Sequence, residues 1–138
     1  MIDFPAIENF VKEFMAKMGW PDVSLSVKLD PEMPTVLDIS LSVYDANYLI
    51  GERGKNLPNL QHLIASMLYK KFGLTERVRV DVNSYRKERM NWLKELAHVT
   101  AQKVSQTKQS QVLPPMSAYE RRLIHVELAS RPDIKTES

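Results

Sequence analysis

Two clusters of residues in this sequence have the types and spacing to hold a polyanion. The first is Leu49-Ile50-Gly51-Glu52-Arg53-Gly54-Lys55, where two of the chain's four glycines stand three apart beside Arg53 and Lys55. Glycine within a helical stretch costs roughly 1 kcal/mol relative to alanine. What it supplies is bare backbone that a bulky anion can approach. Free N–H groups opening a helix, next to cations, make a phosphate-binding arrangement. A plain turn between helices is not expected to need two glycines so spaced. Glu52 fits least well, since a carboxylate repels phosphate and should face solvent. The second cluster is Arg121 and His125, four apart and so on one face of a helix. A guanidinium grips phosphate bidentately, and an imidazole can donate to it or stack on a base. Arg122 adds charge. Arg86, Lys87 and Arg89 would extend the phosphate track.

Other chemistries find less support. A nucleotide-hydrolase loop needs glycine at Leu49 and Ser or Thr at Asn56, and a strand in front of it. His62, His98 and His125 lie far apart, with no partner at metal-ligand spacing. No serine sits in a strained turn next to a His and an Asp. Nothing argues for an enzyme, a cofactor or a metal. The phenylalanines Phe4, Phe10 and Phe14 and most of the seven methionines are read as core, and so is Trp92, with a platform for a base as its alternative role.

The elements that must position these residues follow from periodicity. Phe4, Ile7, Val11, Phe14 and Met18 mark a helix that stops at Gly19. Leu25, Val27 and Leu29 alternate with polar residues, as do Leu37, Ile39, Leu41 and Val43. These are two strands of a hairpin joined by Asp30-Pro31-Glu32-Met33-Pro34. Asp45 is the expected N-cap of a short helix through Leu49. Past the glycines, Leu57, Leu60, Ile64, Met67 and Leu68 define a helix with Pro58 in its first turn and Gly73 at its end. Val78, Val80 and Val82 form a third strand. A long helix spans about 85–106, residues 108–115 read as a connector or short strand, and Ser117-Ala118-Tyr119-Glu120 is a capping box opening a last helix to about Leu128. Residues 131–138 read as a loose polar tail.

Charge separates along the chain. Residues 1–50 hold 3 Lys/Arg and 8 Asp/Glu, and residues 51–138 hold 16 and 9, so a net of −5 gives way to +7 at the glycine pair. That asymmetry points to a polyanion partner for the second half. There is no cysteine, so no disulfide framework and no thiolate zinc site, which fits a reducing compartment. No apolar run reaches the ~20 residues of a membrane span, and the N-terminus lacks a signal-peptide pattern.

The segment from Leu49 to Leu57 resembles the signature of KH domains. The order helix-strand-strand-helix-helix-strand matches the bacterial topology of that α/β (α+β) fold. The resemblance implies that the loop Gly51-Glu52-Arg53-Gly54 clamps the backbone of about four single-stranded nucleotides. Ile50, Leu57 and Leu60 would then support or touch bases in an apolar groove. The segment Leu113-Pro114-Pro115-Met116-Ser117-Ala118-Tyr119-Glu120-Arg121-Arg122-Leu123-Ile124-His125 resembles the core of the domain named for its Arg-x-x-x-His spacing, a family that binds single-stranded nucleic acids. Arg121 and His125 are its namesake residues.

A KH domain over 1–84, followed directly by an Arg-x-x-x-His domain over 85–138, resembles the C-terminal arrangement of the bacterial Jag/KhpB family. The likeness covers residues 4 to about 130. It implies a non-catalytic, cytoplasmic binder of single-stranded RNA linked to cell elongation and envelope regulation. It also implies a KH-only protein or a second copy as partner. Single-stranded DNA stays open as a ligand. Family members carry a further N-terminal domain, and their second domain continues into strands beyond its helix. The chain ends at Ser138 before such strands, so an incomplete second domain is one expectation. The competing function is a protein-interaction module, in which the KH surface docks a partner instead of RNA.

Overall fold

Asp3 accepts a hydrogen bond from the Ala6 amide at 3.1 Å and Pro5 sits in the first turn, so α1 (Phe4–Lys17) is capped by its own sequence. It buries Ile7, Val11 and Met15. Phe4, Phe10 and Phe14 lean on the core from its rim. Met18, expected on the buried face, lies one residue past the helix and is exposed. β1 (Ser24–Leu29) and β2 (Val36–Ser42) pair antiparallel, with Val27 opposite Ile39 and Leu29 opposite Leu37. Their turn is built on Asp30, whose carboxylate accepts the amides of Glu32 at 2.8 Å and Met33 at 3.3 Å. β3 (Arg77–Val82) lies parallel to β2 on its other side, giving the sheet order β1-β2-β3. A parallel pair needs a crossover. Here α2 (Asn47–Ile50), a short 3-10 turn and α3 (Leu57–Phe72) supply it.

Strand alternation sends Val27, Leu37, Ile39, Leu41, Val78, Val80 and Val82 into one core with Leu57, Leu60, Ile64 and Leu68 of α3. The other face of the sheet is polar. There Arg79 donates to Asp38 at 2.6 Å and to Asp30 at 2.7 Å. Its own pKa is raised by these two carboxylates. Asp45 is not the cap of α2: it takes φ +55°, a left-handed conformation that aspartate tolerates, and Ala46 occupies the cap position without a side-chain bond.

The computed structural model describes residues 1–138 and divides them into two compact units, Met1–Arg86 and Lys87–Ser138. The division falls in the first turn of α4 (Tyr85–Thr107). The second unit buries Leu93, Ala97 and Ala101 of α4 with Ile124 and Leu128 of α5 (Ala118–Leu128), and Leu113, Met116 and Ile134 pack around them. The capping box is present: Ser117 Oγ accepts the Glu120 amide and the Glu120 carboxylate accepts the Ser117 amide. Residues 108–115 form no strand.

Three expectations fail in instructive ways. Trp92 is 46% exposed, because α4 already fills its core side with Leu93 and two alanines. Of the methionines only Met15 is fully buried, while Met1, Met18 and Met33 are exposed. The tail is not loose: Ile134 joins the core and Arg131 pairs with Asp133 at 2.9 Å. The chain is an α+β protein of five helices and a three-stranded sheet, and no helix is long and apolar enough to cross a membrane.

Candidate nucleic-acid interface

The glycine loop is a tight turn with three residues at positive φ. Gly51 has φ +76°, Arg53 +55° and Gly54 +75°. Its amides are mostly used internally: Gly54 donates to the Gly51 carbonyl, Lys55 to Glu52, and Asn56 to Ile50. The expected array of free N–H groups is therefore smaller than the sequence suggests. The expectation that a plain turn would not need both glycines also fails. A Cβ at Gly51 would lie 2.7 Å from the Asn56 side chain, and one at Gly54 would lie 2.6 Å from the Tyr85 ring. Both glycines are required by the fold itself.

The N-terminus of α3 carries no side-chain cap, although Asn56 holds its cap position. Its amide Nδ2 instead donates to the Tyr48 carbonyl at 2.7 Å. Sequence reasoning missed this residue, since an asparagine before a helix reads as an ordinary cap. A 16-residue helix thus points an uncapped positive end beside Arg53 and Lys55, both exposed. Glu52 is exposed on the same turn. Ile50 is half-buried at the loop's start, while Leu57 is 1% exposed and lies beneath the loop as a support.

The three cations after β3 have different fates. Arg86 is held to the sheet edge, its Nε donating to the Val80 carbonyl at 3.1 Å. Arg89 belongs to the second unit, where its Nε bonds Glu120 at 2.7 Å and its guanidinium lies 4.7 Å from the Trp92 ring. Lys87 alone of the three is exposed with no ion pair. The sequence places all three in one phosphate track. Arg86 and Arg89 also make bonds within the chain, to the Val80 carbonyl and to Glu120.

In the second unit Arg121, Arg122 and His125 all lie on α5. Arg121 Nη1 donates to the Met116 carbonyl at 3.1 Å, and Arg122 is exposed with no ion pair. His125 Nδ1 meets the Thr136 hydroxyl, so the tail presses on the half-buried imidazole. Tyr119 stands exposed nearer the start of the same helix. His98 bonds Glu127 at 2.9 Å and is part of the surface. No cluster of His, Cys, Asp and Glu could hold a metal ion.

Glu120 is the electrostatic centre of this unit. Burial pushes its carboxyl up, but the Arg89 guanidinium and the Ser117 amide outweigh that and hold its pKa below the usual 4.5. A depressed folded value means the carboxylate stabilises the unit above pH 4.5, and that contribution is lost as pH falls through the folded value. We expect second-unit stability, read from amide exchange in α5, to decline in this acidic window. Arg89→Ala should cost about 2 kcal/mol at neutral pH and flatten the decline. An equally steep decline in that variant would remove Glu120 as its source.

Comparison with known proteins bears on both units. Residues 91–138 match the family model of the R-three-H domain, which is the Arg-x-x-x-His domain. Along its length the chain is similar to the RNA-binding protein KhpB of Clostridium symbiosum, with 37% identity over 133 residues, covering 96% of this chain and 59% of that protein. The protein of the same name from Bacillus subtilis is 39% identical over 95 residues, covering 67% of this chain and 46% of that one. The one from Lactiplantibacillus plantarum is 38% identical over 88 residues, covering 64% and 27%. The chain thus spans from about a quarter to three-fifths of the length of these relatives. The domain match and the relatives together support the Jag/KhpB family.

Proposed function

We propose that this chain binds single-stranded RNA without catalysis, through a KH domain in the first unit and an Arg-x-x-x-His domain in the second. The observation that carries this is the uncapped N-terminus of α3 behind a glycine turn, with Arg53 and Lys55 exposed at its mouth. A positive helix end without its own cap is complementary to a phosphate oxygen. Support comes from the order α-β-β-α-α-β with a parallel β2–β3 pair, and from relatives named as RNA-binding proteins. In the first unit, Gly51, Glu52, Arg53, Gly54 and Lys55 follow the RNA backbone over Ile50 and Leu57; Lys87, the first residue of the second unit, is a further exposed cation. In the second, Arg121, Arg122 and His125 make the contacts, with Tyr119 as a platform. The biological reading is a post-transcriptional regulator tied to cell elongation and the envelope.

Salt dependence tests it. Each phosphate neutralised on a single strand contributes about −0.7 to the log–log slope of affinity against salt. The five cations Arg53, Lys55, Lys87, Arg121 and Arg122 therefore predict a slope of about −3.5 for an oligouridylate of about a dozen nucleotides. A slope near zero would exclude phosphate contacts and favour the protein-interaction module.

A further inference from the structure

The junction between β3 and α4 is fixed from several sides. Asn83 and Ser84 are consecutive residues in the left-handed region, at φ +53° and +55°. Neither is glycine, so the surroundings must hold them there. The Asn83 side chain does part of this, accepting from the Val43 amide at 2.9 Å and donating to the Val43 carbonyl at 3.1 Å, like one more residue pair of the sheet. Its own amide donates to the Leu41 carbonyl at 2.7 Å. The Asp81 carboxylate then accepts the Arg86 amide, at 3.1 Å to one oxygen and 3.2 Å to the other, satisfying a first-turn N–H of α4. Between these anchors stands Tyr85. Its ring lies where a Gly54 side chain would be, with Cε1 2.6 Å from the position of a Cβ.

We propose that Tyr85 is the positioning residue of the glycine loop: its ring, aimed by the Asp81–Asn83 junction, holds Gly54 in place so that the loop presents its cations to RNA, without itself touching RNA. This rests on the RNA-binding function proposed above. It assigns a task to the start of α4, where sequence reasoning sees only a helix with basic first turns. The edge of the ring makes the approach to Gly54, so the ring and not the hydroxyl is the working part.

The test uses the full chain and a fluorescein-labelled oligouridylate. Tyr85→Phe should bind like the wild type. Tyr85→Ala and Tyr85→Leu should each bind about tenfold more weakly, with thermal melts still cooperative. Gly54→Ala should weaken binding too, and adding Tyr85→Ala to it should recover part of the loss, because the clash partner is gone. In RNA-free protein, the Gly54 amide resonance should move in Tyr85→Ala while those of Gly19 and Gly73 stay. If Tyr85→Ala and Tyr85→Leu both bind like wild type, or the Gly54 resonance does not move, the proposal is wrong. Failure of the wild-type chain itself to bind RNA would overturn the functional reading, whereas wild-type binding with indifferent Tyr85 variants would overturn only this inference.

Discussion

Replacing Glu52 and Arg53 together by aspartate should weaken single-stranded RNA binding about 30-fold or more at about 0.1 M salt, with the fold intact. Glu52→Asp keeps the charge, so the effect is carried by Arg53→Asp, which turns a cation into an anion at the mouth of an uncapped helix. Both changes are tolerated sterically because the two side chains are exposed. They are also tolerated by the backbone. Arg53 has φ +55°, and aspartate enters the left-handed region more readily than most residues. The variant should melt within a few degrees of the wild type, and its salt slope should fall by about 0.7, one phosphate's worth. Undiminished affinity would move the binding site away from this loop.

Leu93→Ala should have the largest effect on stability. Leu93 is 1% exposed and is one of five buried core residues in the second unit, two of which are alanines. Truncating a buried leucine costs about 3 kcal/mol when its surroundings cannot collapse. Here the large neighbours are Ile124 and Leu128, both on α5, so the gap opens between the two helices that make the unit. A core this small supplies only about 3–5 kcal/mol in total. Amide exchange in α5 should accordingly accelerate by about two orders of magnitude. Unchanged protection there would mean that α5 is held by something other than this core.

The element order is readable in the sequence because each element carries its own period. Val27, Ile39 and Val80 alternate with polar neighbours, and Leu57, Leu60, Ile64 and Leu68 repeat every three or four residues. The position of the glycine loop follows from the same patterns. Its reason does not. That Gly54 makes room for Tyr85, far along the chain, is a tertiary fact that no local pattern encodes. The same holds for the pairing of Arg89 with Glu120, 31 residues further along the chain. Residue type alone misplaces Trp92, because its place on the helix decides its burial: α4 turns Leu93, Ala97 and Ala101 inward, and Trp92 falls outside that stripe. Composition alone misplaces the tail, because one isoleucine, Ile134, among polar residues is enough to dock it.

The binding claim meets its most direct test in the amide spectrum of the chain during titration with an oligouridylate. The four glycines divide into two reporters and two controls. Gly51 and Gly54 bracket Arg53, and Gly54 precedes Lys55, while Gly19 and Gly73 follow the C-terminal ends of α1 and α3. The resonances of Gly51 and Gly54 should shift progressively to saturation while Gly19 and Gly73 remain fixed. Saturable binding with Gly51 and Gly54 unmoved would contradict the glycine loop as the RNA site.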